Sequence, residues 1–89
     1  MDASTILSRV AGYTIAEFDG EHMIFHPSEG RAIYLSDSAS LVWQLCDGQR
    51  TVGDITALLG DAYPEAADLH NEVEGALQVF VELRVLGVT

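Results

Sequence analysis

Two turn signals close together, Asp19-Gly20 and Pro27-Ser28-Glu29-Gly30, constrain this chain more than any other feature of its sequence. An Asp-Gly pair tolerates positive φ at both central positions of a tight hairpin turn. The Pro/Ser/Gly run breaks strand pairing a second time, with residues suited to turns. Around these turns lie three short runs rich in β-branched and aromatic residues, which favour strands. The first extends from about Gly12 to Phe18 and includes Tyr13, Ile15 and Phe18. The second is His22-Met23-Ile24-Phe25-His26 and the third is Arg31-Ala32-Ile33-Tyr34-Leu35. Two tight turns in succession predict an antiparallel meander whose first and third strands are its edges.

After the meander the pattern becomes helical. Ser36-Asp37-Ser38 is a run of capping residues, able to satisfy the first free N–H groups of a helix. That helix carries Ala39, Leu41, Val42, Trp43, Leu45 and Cys46, and Asp47-Gly48 stops it. Thr51 stands three residues before Asp54, a capping-box spacing. The short second helix begins there, carries Ile55, Leu58 and Leu59, and is expected to end at Gly60 as a C′ glycine. A third helix is predicted from about Glu65 to Leu86, closed by Gly87. Leu69, Val73, Ala76, Phe80 and Leu83 recur along it at spacings of one apolar stripe. Three strands cannot bury both faces alone, so the helices must pack on one side of the sheet. The expected class is α+β and winged helix-turn-helix-like, a three-stranded antiparallel sheet followed by three α-helices. Residues 1–89 are expected to form a single domain, a length suited to one core.

Such a layout invites a DNA-binding reading, and the charge opposes it. Fourteen acidic residues face four arginines (Arg9, Arg31, Arg50, Arg84) and no lysine, for a formal charge of −10. Nucleic-acid affinity comes largely from cations placed against phosphates. A surface this acidic repels DNA and anionic membrane, and favours a neutral or basic partner. The same charge also serves solubility. No apolar run approaches the roughly 18 residues of a membrane span. The N-terminal stretch Met1-Asp2-Ala3-Ser4-Thr5 lacks the basic region of a secretory signal, so the expected location is cytoplasmic. Cys46 is the only cysteine, which rules out an internal disulfide and a Cys-based metal site.

The candidates for catalysis or metal binding are weak. His22 and His26 lie four apart in a strand, on one face but roughly 13 Å from each other, too far to share a metal. His70 and Glu74 form an i,i+4 pair that reads as a surface pair before half a metal site. Cys46 closes an apolar helix and reads as a small buried hydrophobe. No Ser-His-Asp order or Gly-rich phosphate loop stands out. The chain is expected to be non-enzymatic and to carry no cofactor.

The stretch around the first helix resembles the PqqD-like family, the small domains also called RiPP precursor peptide recognition elements. Leu35-Ser36-Asp37-Ser38-Ala39 is similar to the family's Leu-Asn-x-Thr-Ala, and Leu45-Cys46-Asp47-Gly48-Gln49-Arg50-Thr51-Val52 to its Leu-Cys-Asp-Gly-x-x-Thr-Val. Asp54-Ile55, Tyr63-Pro64 and Val79-Phe80-Val81-Glu82-Leu83 with Gly87 continue the likeness, as does the turn Pro27-Ser28-Glu29-Gly30 upstream. Gly75-Ala76 stands where the family often carries Asp-Val, and Ser36 replaces the common Asn.

The resemblance implies a scaffold that binds the leader of a precursor peptide as an added β-strand. The peptide would lie along the third strand, in the groove between that strand and the last helix. The domain would present it to a modifying enzyme, of the radical S-adenosylmethionine type in PqqD-like systems. A lasso-peptide pathway pairing a similar domain with a peptidase, and an acidic winged-helix regulatory or dimerisation module, are the alternatives. A homodimer formed by strand exchange would occupy the same edge. On this reading the peptide-binding residues are Arg31, Ala32, Ile33, Tyr34 and Leu35 on the strand, with Leu69, Val73, Ala76 and Leu77 on the helix. Period-2 geometry groups Ala32 with Tyr34, and Arg31 with Ile33 and Leu35; the sequence leaves open which set faces the helices. Arg31 is either a partner for a leader carboxylate or a solvated edge charge. Glycine within a helix costs about 1 kcal/mol against alanine, so Gly75 is expected to mark a close approach, by the sheet or by a peptide.

Overall fold

The Asp19-Gly20 turn fixes the arrangement of the N-terminal half. In the computed structural model, which describes residues 1–88, Asp19 has φ 54° and Gly20 φ 80°. These are the two positive values of a type I′ hairpin turn. The chain runs β1 (Ile6–Arg9), β2 (Thr14–Phe18), β3 (Glu21–His26), β4 (Arg31–Leu35), α1 (Asp37–Leu45), β5 (Asp47–Thr51), α2 (Val52–Ala62), α3 (Leu69–Glu82) and β6 (Leu86–Val88). The predicted meander is present as the sheet β2-β3-β4, and three helices follow it, as expected. The third predicted strand is β4, with the expected bounds.

Register decides which side of this sheet is buried. Ile15 pairs with Ile24 and Ile24 with Ile33, so the three isoleucines form one cross-strand row. Ile24 is fully buried, and Ile15, Ile33 and Leu35 pack against the core. Arg31, Ile33 and Leu35 therefore face the helices, while Ala32 and Tyr34 face away; the sheet's pleat allows no mixture.

A second sheet, ordered β5-β1-β6, lay outside the expectation. β1 pairs antiparallel with β5 and with β6, bringing residues 6–9 against 47–51 and 86–88. These strands are short and two of them are polar or contain glycine, so local pattern carries no sign of them. Burial stabilises them instead: Leu7, Val52, Val85 and Leu86 are all almost wholly inside. Fully burying such a side chain is worth about 1.5–3 kcal/mol.

That burial also shortens the third helix, which was expected to reach Leu86 and ends at Glu82. Arg84 takes φ 62°, and the Val85 N–H bonds back to the Phe80 carbonyl at 3.0 Å. The chain then leaves as a strand, and the Trp43 indole N–H donates to the Val85 carbonyl at 3.3 Å. At its start the helix begins with Leu69 rather than near Glu65, after Asp68 at φ 57°.

The caps follow the sequence closely. Ser36 caps α1, its hydroxyl accepting from the Ala39 N–H at 3.2 Å. Thr51 and Asp54 form a reciprocal capping box at 3.0 Å in each direction. Gly60, expected as a C′ stop, lies inside α2, which continues to Ala62. A Cβ there would sit 3.8 Å from a Leu69 methyl, an ordinary packing contact, so the start of α3 does not demand glycine at this position. Thr51→Ala is expected to lower stability by about 1 kcal/mol, read as a shift in urea midpoint at unchanged slope.

Candidate functional site

β4 has a partner on one side only: it pairs with β3 and stands at the end of its sheet. Which backbone groups it leaves free follows from the turn. A two-residue hairpin closes on a hydrogen-bonded pair, here Phe18 with Glu21, and bonded and non-bonded pairs alternate along an antiparallel ladder. Glu21, Met23 and Phe25 therefore address β2, while His22, Ile24 and His26 address Leu35, Ile33 and Arg31 of β4. Ala32 and Tyr34 are left with their N–H and C=O groups directed to the open edge. Their side chains are exposed, Tyr34 at 71%.

β4 runs straight into the cap of α1: Ser36 keeps extended angles, φ −69° and ψ 168°. At this end of the strand lies a groove of about 450 Å³ between the start of α1 and the first half of α3. Ala39, Val42, Leu59, Leu69 and Val73 give it an apolar lining, while Ser38, Asn71 and Glu72 supply polar groups. Among the described residues Glu72 is the one ionisable residue lining it. His22 Nε2 of β3 contacts Asp37 Oδ1 of α1 at 2.8 Å, tying the meander to the helix.

The structure divides the residues expected to bind peptide. Arg31 to Leu35 form the open strand, and Leu69, Val73 and Ala76 line the groove, Val73 from the core beneath it at 1% exposure. Leu77 does not; it is fully buried in the core, on the adjacent face of the helix, and is corrected to a packing residue. The strand and the groove meet through Ser36 and the N-terminal turn of α1. Arg31 is half-buried, and its Nη1 donates to the Tyr13 hydroxyl at 3.1 Å, which uses one of its five N–H donors. Of the two approaches expected at Gly75, the structure removes the one by the sheet. A Cβ at this position would meet nothing within 4 Å, so no sheet approaches it, and it lines the groove.

Ser36, Ser38, Ala39, Val42, Leu59, Asn71 and Glu72 belong to the groove but were not singled out from sequence. The capping role of Ser36-Asp37-Ser38 was legible, but not that the helix beginning there would wall a cavity.

Cys46, His70 and Glu74 each have a partner within the chain. Burial pushes the Cys46 thiol up to about 12, and its Sγ–H donates to the Val42 carbonyl at 3.2 Å. His70 meets Glu74 at 3.4 Å on the surface. The Met1 ammonium donates to the same Glu74 at 2.6 Å and holds its carboxyl below the usual range. Among the described residues no cluster of three or more His, Cys, Asp or Glu could hold a metal. No helix among them is long and apolar enough to cross a membrane.

Comparison with known proteins connects this geometry to others. The family whose sequence model matches is described as coenzyme PQQ synthesis protein D (PqqD), over residues 21–86. The PqqA binding protein of Rahnella aquatilis is 42% identical over 53 residues, covering 60% of this chain and 54% of that one. That of Stutzerimonas stutzeri (strain A1501) is 43% identical over 61 residues, covering 68% and 64%. The chain thus spans between half and two thirds of the length of these relatives. Among solved structures it is similar to the PqqD truncation of Methylobacterium extorquens PqqCD, a functional, stand-alone RiPP recognition element. The TM-score is 0.78 at 26% identity, over 97% of this chain and 93% of that one. TbiB1, solved with the TbiA(beta) leader peptide, shares the fold with a TM-score of 0.72 at 16% identity, over 89% and 93%.

Two outcomes test the site as described. Cys46 should resist thiol reagents in the native protein at neutral pH, because the thiolate is the nucleophile, and should react fully once denatured. Gly75→Ala should raise stability by up to about 1 kcal/mol, since the added methyl enters open space; a lower urea midpoint would contradict that geometry.

Proposed function

This chain belongs to the PqqD family, and we propose that it binds the leader of a ribosomally synthesised precursor peptide and presents it to a separate modifying enzyme. The leader adds as a strand to the open edge of β4 and continues into the groove beside α3. The observation that carries this reading is the pair of outward-directed backbone positions, Ala32 and Tyr34, on a strand that leads directly to an apolar groove. Strand addition uses such an edge for affinity and side-chain pockets for specificity. The relatives named for PqqA binding and the recognition-element fold support the same reading.

The energetics suit a carrier. Ala32 and Tyr34 offer about four backbone hydrogen bonds worth roughly 0.5–1.5 kcal/mol each. Two or three apolar leader side chains seated against Leu69, Val73 and Ala76 would add roughly 1.5–3 kcal/mol apiece. Ordering the peptide costs about 2–5 kcal/mol. These terms span roughly 0 to −13 kcal/mol, and their midpoint of about −6.5 kcal/mol corresponds to roughly ten-micromolar affinity. Binding of that strength holds a peptide and still releases it.

The role assigns no catalysis to this chain, which acts in the cytoplasm with a radical S-adenosylmethionine enzyme as the modifying partner. Membership of the PqqD family favours that enzyme over the peptidase-paired alternative.

The test is a calorimetric titration with the precursor peptide encoded beside this chain. Binding is expected at or below roughly tens of micromolar. Tyr34→Pro removes one outward donor without touching the β3–β4 ladder, and proline is tolerated on a sheet edge. It should weaken binding roughly 2- to 10-fold while the fold is retained. Unchanged affinity would move the leader off this edge.

A further inference from the structure

The inward side of the meander is covered by α1, but its outward side is bare and apolar. The register places Ala16, Met23 and Tyr34 in one cross-strand row and Thr14, Phe25 and Ala32 in the next. Phe18, two residues beyond Ala16 on the same face, completes the patch. Phe18 is 81% exposed and Tyr34 71%. Met23 and Phe25 are half-buried beside them, and all four lie outside the core and its packed periphery. Phe18, Met23 and Tyr34 converge with Asp19 and Glu21 around a hollow of about 330 Å³.

A single exposed apolar side chain is ordinary, whereas a contiguous apolar surface edged by polar groups marks an interaction site. Aromatic and Met side chains are also those enriched at the centres of protein interfaces. The charge around the patch selects its partner. Asp19 and Glu21 border the hollow, and β2 to β4 contain one arginine, Arg31, which faces the other way and is held by Tyr13. Two copies of this chain meeting through the patch would oppose acid to acid and bring together two bodies of formal charge −10. A surface with Lys or Arg around an apolar centre would be complementary and would be steered towards it.

We infer that the outward face of β2-β3-β4 is a second docking surface, for a protein that presents an apolar patch edged with Lys or Arg side chains. Identifying that protein as the modifying enzyme rests on the leader-binding reading. The leader and this partner use different parts of one sheet, an edge and a face, so both can be bound together.

The experiment measures two affinities for the full chain: for the precursor peptide and for the purified modifying enzyme encoded beside it. Both are measured with wild type, Phe18→Ser and Glu21→Lys. The expected result is a loss of enzyme affinity of about tenfold or more in each variant, with peptide affinity unchanged. Enzyme binding to wild type should also weaken as salt rises. Glu21→Lys keeps the test decisive if Phe18→Ser alters the thermal melt. Equal enzyme affinity in all three proteins would overturn the inference, as would absence of enzyme binding to wild type. Sedimentation adds a further outcome: self-association of wild type that Phe18→Ser abolishes would give the face to a second copy and overturn it too. Failure of peptide binding with Phe18-dependent enzyme binding would sink the leader reading and leave this surface standing.

Discussion

The register of the β2-β3-β4 meander is the constraint on which the rest depends. A slip of one residue in an antiparallel pair moves every side chain to the opposite face. With Asp19 and Gly20 in their left-handed conformations, Ile15, Ile24 and Ile33 align on the side that the helices cover. The same alignment directs the backbone groups of Ala32 and Tyr34 to the open edge and places Met23 and Tyr34 outside. Core, edge and outer face are thus three consequences of one turn.

α1 converts that sheet into a site. Its first turn walls the groove with Ser38 and Ala39, and Asp37 meets His22 of β3 at 2.8 Å. Further along, Trp43 is buried and its indole N–H holds the Val85 carbonyl, the point where α3 gives way to β6. The Arg9 guanidinium lies over the Trp43 ring at 5.6 Å and also donates to the Gln44 carbonyl. The helix that frames the groove is therefore anchored to both sheets.

Where the determining contacts are local, the sequence states them. The I′ turn, the Ser36 cap and the Thr51–Asp54 box each lie within four residues, and β4 has the bounds its composition predicts. The second sheet is different, because it joins residues 6–9, 47–51 and 86–88, and only the completed fold rewards that pairing. The Val79 to Leu86 stretch reads as helix until the burial of Val85 and Leu86 against β1 is counted, a tertiary gain that outweighs local preference. The site divides in the same way. Leu69, Val73 and Ala76 follow from helical spacing, but spacing cannot separate a groove wall from the core beside it, which is why Leu77 was grouped with them. Gly75 stands out in the sequence by its helical cost, whereas the open space beside it depends on how α1 and α3 are placed.

Tyr34 belongs to two surfaces at once. Its main chain opens onto the edge where a further strand can pair, and its ring stands on the bare outer face beside Met23. Any strand that pairs there enlarges that face by one row of its own alternate side chains. A protein docked across the row would then touch the guest as well as the host, and would meet one relief on an empty sheet and another on a filled one. The meander thereby exposes its state of occupancy to whatever lies against it, without any part of the chain having to move.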